Sequence, residues 1–201
     1  MPAASESPAF RYPPQPLGRR HANYRSYRPW LRDEFSFRCV YCLIREQWGR
    51  VTREFDLEHF LPQIRSPERA AEYDNLFYAC RSCNLRKTRM TVPDPGEALT
   101  SESVRVYPDG MVAGLTPDAQ RIIRVLCLNS PALARWRRTW IRIIELAGEQ
   151  DPRLFQELMG YPEDLPDLRS CRAPANTRPE GIGESFFARH QRGELPDTYV
   201  C

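Results

Sequence analysis

Four cysteines stand in two C-x-x-C pairs, Cys39 with Cys42 and Cys80 with Cys83. Each pair can turn both sulfurs toward one tetrahedral ion, so the spacing predicts a zinc site of four thiolates. Such a site is closed, and its zinc holds the fold without taking part in chemistry. The 37 residues between the pairs exceed the usual spacing, but each doubling of a loop costs only about 0.6 kcal/mol, which metal binding offsets. The other three cysteines are Cys127, expected in a helix, and Cys171 and Cys201, expected in loop or tail; they read as unpaired thiols. Between and just after the knuckles come Glu58-His59, Asp74-Asn75-Leu76 and Asn84, followed by Lys87, the sole lysine of the chain. A neutral imidazole can take a proton near pH 7. Carboxylate and amide oxygens are hard donors that suit Mg²⁺ or Mn²⁺.

These residues need a scaffold that brings them together. Val51 to Phe60 and Asn75 to Ala79 read as strands separated by a polar loop, and Cys80-Arg-Ser-Cys83 opens a short basic helix. Neighbouring side chains on a regular strand face opposite ways, so Glu58 and His59 can meet at one site only if the strand ends or twists there, as Pro62 allows. Beyond the helix, Val104 to Tyr107 and Met111 to Ala113 flank Asp109-Gly110, a turn signal that predicts a hairpin. Thr116-Pro117 and Ser130-Pro131 each predict a helix start with a cap followed by proline, and a shorter helix is expected from Asp151-Pro152 to Met159. Arg135, Arg137, Arg138 and Arg142 crowd the second of these helices, as a solvated or a phosphate-tracking face.

The order C-x-x-C, Glu58-His59-x-x-Pro62, Asn75-Leu76, C-x-x-C-Asn84-x-x-Lys87 resembles the HNH endonuclease superfamily over Arg38 to Thr88. The resemblance implies an α+β chain with a ββα-metal, treble-clef-like core, and residues 114–129 look like an extension that follows some bacterial members. It implies His59 as general base, Glu58 and Asn84 as ligands of a catalytic Mg²⁺ or Mn²⁺, and Asn75 as the residue that ties the inter-strand loop. The sequence departs from the family pattern in having Asn84 for the last histidine and Glu58 where aspartate is common; both keep an oxygen ligand. Arg81, Arg86, Lys87 and Arg89, on or beside the helix, are the expected nucleic-acid contacts.

With 201 residues, 41% hydrophobic and 27% charged, the chain falls in the globular range. It has no apolar run near the ~20 residues of a membrane span. We divide it into a Pro- and Arg-rich arm (1–29), the zinc-stabilised core (30–95), a hairpin and helical extension (96–160) and an irregular tail (161–201). The arm lacks the pattern of a secretory signal, which suggests the cytoplasm. Net charge is +3, yet residues 1–53 hold ten arginines against four acids and residues 145–201 six against eleven. The basic half suits a polyanion. The expected function is metal-dependent cleavage of nucleic acid, DNA first, under control of a protein partner if the chain is an anti-phage effector. The alternatives are a zinc-stabilised module that binds nucleic acid without cutting it, and an RNA-cleaving toxin.

Overall fold

The computed structural model describes residues 24–49, 54–171 and 181–199. A 3₁₀ turn (Tyr24–Tyr27) leads into α1 (Arg28–Glu34), followed by β1 (Phe55–His59), β2 (Leu76–Cys80) and α2 (Arg81–Lys87). A single turn, α3 (Pro95–Ala98), precedes β3 (Val104–Val106), β4 (Val112–Gly114), α4 (Pro117–Val125), α5 (Pro131–Gln150), α6 (Pro152–Met159) and α7 (Phe186–Gln191). The fold is α+β: a ββα core carries a second small hairpin and C-terminal helices. No described helix is long and apolar enough to cross a membrane.

β1 and β2 pair antiparallel, from Phe55 opposite Cys80 to His59 opposite Leu76. β2 is buried along its whole length, because α1 packs on it through Trp30 and Leu31. Phe55 stacks on Tyr78 with centroids 5.1 Å apart. The first knuckle joins this unit through the backbone: Val40 N–H donates to Tyr78 O at 3.0 Å. Both C-x-x-C pairs are thereby tied to the same strand.

β1 is shorter than the expected Val51 to Phe60; positions 51–53 lie outside the described residues, as do 1–23 of the arm, 172–180 of the tail and Cys201. The second hairpin turns at Gly110, whose φ of +85° is open to glycine without strain. Thr116 caps α4 by accepting from Ala119 N–H, and Asp151 caps α6 by accepting from Leu154 N–H. Cys127 lies past the end of α4 at a φ of +49°, so it is not helical.

Two expectations need correction. The last residues of the Pro- and Arg-rich arm belong to regular structure, since Tyr24–Tyr27 form a 3₁₀ turn and Pro29 sits in the first turn of α1, where its missing N–H costs nothing. The tail is not wholly irregular either. Ser185 caps α7, Phe186 packs on Phe37 with centroids 5.5 Å apart, and Arg45 donates to the carbonyls of Met159 (2.8 Å) and Tyr199. Its helix has only six residues, too few to show a period in sequence.

Candidate active site

The four cysteines are brought together. Their sulfurs all lie within 4.8 Å of one another, with Cys42 and Cys80 3.7 Å apart. Sulfurs about 2.3 Å from one tetrahedral zinc stand about 3.8 Å from each other, so the cluster fits that ion. Cys39 and Cys42 come from the knuckle before β1, Cys80 ends β2, and Cys83 lies in the first turn of α2. The crowded sulfurs split one another's ionisation. Hydrogen bonds from Cys39, Cys42 and Cys83 hold Cys80 far below the usual thiol range, whereas bonds shared chiefly with Cys39 push Cys42 and Cys83 well above it. Arg137 faces the cluster from α5. Burial lowers its pKa, against the attraction of Cys42 and Cys83, and its guanidinium donates to Gly110 O and, at 3.0 Å, to Leu128 O. It is therefore neither solvated nor free to track phosphate.

His59 ends β1 half-buried. Its Nε2 lies 2.9 Å from Ala70 O, and the amide end of Gln63 is 3.0 Å from the same nitrogen. A carbonyl can only accept, so Nε2 carries the hydrogen, and the Gln63 amide fits with its oxygen turned inward. In the neutral ring Nδ1 then holds the lone pair. The Tyr24 ring stands edge-on to the imidazole at 4.7 Å. Burial lowers the His59 pKa from its ordinary 6.5, with the Ala70 carbonyl and Glu58 opposing and Lys87 adding to the shift. The ring is thus held in the proton-accepting form at neutral pH.

Asn75 is fully buried and closes the loop that aims His59. Its Oδ1 accepts from Leu61 N–H at 2.8 Å, and its Nδ2 donates to Leu61 O and Arg69 O at 3.2 and 3.1 Å.

The oxygen donors are arranged differently from the expectation. Glu58 is 2% exposed; Oε1 accepts from Lys87 Nζ at 2.5 Å and Oε2 from Tyr41 OH at 2.8 Å. Both of its oxygens are committed. The carboxylate that meets Asn84 belongs to Asp56, whose Oδ2 accepts from Asn84 Nδ2 at 3.2 Å. Asp56 lies two residues before Glu58, on the same face of the strand.

Of the four expected nucleic-acid contacts, Arg81 and Arg89 are exposed. Lys87 is fully buried. Arg86 donates to Leu126 O and Cys127 O at 3.0 and 2.9 Å, satisfying carbonyls at the end of α4. These two correct the expectation, because their protons are spent inside the protein. Two exposed arginines converge instead on Thr91: Arg65 donates to its Oγ1 at 3.1 Å and Arg121 to its carbonyl at 3.3 Å. Among the described residues neither has an acidic partner within 4.0 Å. No local pattern marks either one, since they meet only through the fold.

The family model of HNH endonucleases matches residues 39–90, from the first knuckle to just beyond α2. No curated protein matches the chain.

Proposed function

We propose that the chain, which carries an HNH endonuclease domain with a four-cysteine cluster suited to structural zinc, hydrolyses phosphodiester bonds of nucleic acid, DNA in the first place. The observation that carries this reading is the His59 imidazole, its Nε2 bonded to Ala70 O and its other nitrogen left to accept a proton. In this reading Nδ1 takes a proton from water. The resulting hydroxide attacks phosphorus, the bond from phosphorus to the 3′ oxygen breaks, and the leaving oxygen takes a proton from solvent. Fixing the ring beforehand removes an orientational cost from the step.

Asp56 and Asn84 offer a carboxylate and an amide side by side where β1 meets α2, a donor set that suits a hard divalent cation. Such a cation, Mg²⁺ or Mn²⁺, would neutralise phosphate charge and stabilise the leaving oxygen. Glu58, committed to Lys87 and Tyr41, is the counter-ion of the lysine in this scheme. Arg81, Arg89, Arg65 and Arg121 are the side chains we assign to phosphate contact.

Incubating supercoiled plasmid with the protein, with and without Mg²⁺ or Mn²⁺, tests the reading. Nicked or linear product that requires the cation and disappears in His59→Ala is expected. Shifted but uncut DNA with wild type would favour the binding module, and cleavage confined to RNA the toxin.

A further inference from the structure

We propose that Lys87 is a positioning residue for His59, its buried ammonium fixing the end of β1 so that the imidazole is aimed, and that Tyr41 and Glu58 tie that ammonium to the first zinc knuckle. The inference rests on reading His59 as the proton acceptor. Lys87 Nζ has three protons and three acceptors: Glu58 Oε1 at 2.5 Å, His59 O at 2.8 Å and Phe60 O at 2.9 Å. Successive carbonyls on a regular strand point to opposite sides. One ammonium that donates to two in succession therefore marks where the strand stops being regular, and His59 is the last residue of β1.

The backbone of the histidine is held at this end by Lys87, and its ring is held at the other by Ala70 O. Beyond the lysine, Glu58 Oε2 accepts from Tyr41 OH at 2.8 Å. Tyr41 is 2% exposed and sits between Cys39 and Cys42. A chain of short contacts thus runs from the first C-x-x-C knuckle to the carbonyls of His59 and Phe60. Burying an ammonium is costly unless every proton is met, and here every one is.

Composition points the same way. Of 29 basic residues, 28 are arginine and the single lysine is this one. A planar guanidinium spreads five donors in a fixed fork, whereas an ammonium converges three on a point. Only the ammonium fits one carboxylate and two adjacent carbonyls.

The test uses full-length, zinc-loaded protein. Lys87→Met alone leaves Glu58 buried and unpaired, so the principal variant is Glu58→Gln/Lys87→Met, which keeps volume and removes both charges. Two measurements are made: steady-state cleavage of plasmid DNA across Mg²⁺ concentrations, and imidazole nitrogen NMR of His59, assigned against His59→Gln. The double variant should keep its zinc, its KM and its half-saturating Mg²⁺ concentration while kcat falls about ten-fold or more. Its His59 signals should shift from a single Nε2-protonated tautomer to a mixture. A folded double variant with wild-type kcat and tautomer overturns the proposal. A raised half-saturating Mg²⁺ concentration also overturns it, by making Glu58 a metal ligand. If the double variant does not fold, Tyr41→Phe decides, since it leaves every thiolate and the lysine in place. A several-fold lower kcat with altered His59 signals supports the chain of contacts, and no change in either sinks it. Should the wild type cut nothing, the nuclease reading fails while the NMR measurement still judges the positioning.

Discussion

In the proposed role of proton acceptor His59 acts only while its ring is neutral, and the residues around it bear on that condition. Burial disfavours the imidazolium and outweighs the opposing pull of Ala70 O and Glu58, so the pKa lies below 6.5. A lowered pKa widens the range in which the base is competent. The acid limb of kcat against pH should therefore have its midpoint below 6.5, so that more than half of the plateau activity is kept at pH 6.5; a midpoint at or above that value would mean that the ring is not desolvated. Removing the base in His59→Ala should slow cleavage by about 10²-fold or more, while zinc content and DNA affinity measured by gel shift stay unchanged. The oxygen donors permit a sharper comparison. Asp56→Asn removes the carboxylate charge and Asn84→Ala the amide oxygen of a pair joined by the Asn84 Nδ2–Asp56 Oδ2 hydrogen bond of 3.2 Å, so each should raise the half-saturating Mg²⁺ concentration or abolish cleavage. Asn84→His replaces a hard oxygen with a softer nitrogen and should move the preference from Mg²⁺ toward Mn²⁺ or Co²⁺. Identical metal profiles in wild type and both Asn84 variants would remove Asn84 from the site and leave it a residue of α2 alone.

At the scale of elements, the four-cysteine cluster suited to structural zinc gathers the ends of three segments. The cluster joins the knuckle, the end of β2 and the start of α2, and α2 in turn carries Asn84 and Lys87. Cys80→Ser should lose zinc and unfold the module, as read by elemental analysis and a melting curve; a folded Cys80→Ser protein with wild-type Tm would refute the structural assignment. The second hairpin is held by a close approach. A Cβ at Gly110 would stand 2.0 Å from Ala134 O, at a φ of +85°. Gly110→Ala should accordingly destabilise the protein by roughly 2–4 kcal/mol, visible as a lower Tm with zinc retained. These elements were legible in sequence for local reasons: a polar residue followed by proline announced α4, α5 and α6, although Ser130, unlike Thr116 and Asp151, makes no side-chain cap hydrogen bond, and paired cysteines announced the metal site. What was not legible depends on distant parts meeting. That Glu58 spends both oxygens inside while Asp56 reaches Asn84 follows from the register of β1 against α2, which no spacing encodes. Ala70 enters the site through a backbone carbonyl, so its side chain carries no signal.

At the scale of the whole molecule, two groups of described arginines that the sequence does not tell apart differ in what they meet, beside others that pair with carboxylates such as Arg32 and Arg69. Arg45, Arg86 and Arg137 spend their protons on backbone carbonyls, so they join segments far apart in the chain: Arg45 binds residues 159 and 199, and Arg137 binds the second hairpin to α5. Arg65, Arg81, Arg89 and Arg121 remain exposed. Arg65 lies in the loop that Asn75 closes, shortly after His59, and Arg121 lies on α4, yet both reach Thr91. The proposed function assigns this pair to phosphate contact. Each phosphate contact on duplex DNA contributes about −0.9 to the slope of log affinity against log salt. Arg65→Ala/Arg121→Ala should therefore weaken binding evenly across DNA sequences and flatten the slope by about 2, with KM raised and kcat little changed. Arg86→Ala and Arg137→Ala provide the contrast. They leave buried carbonyls unpaired, so they should lower Tm and leave the slope of the folded protein as it was. Titrating a labelled duplex at several salt concentrations, beside melting curves for all three variants, measures both quantities. An unchanged slope in the Arg65→Ala/Arg121→Ala protein would remove the Thr91 pair from the interface, and a flattened slope in Arg86→Ala would show that its guanidinium leaves the end of α4 to meet the nucleic acid.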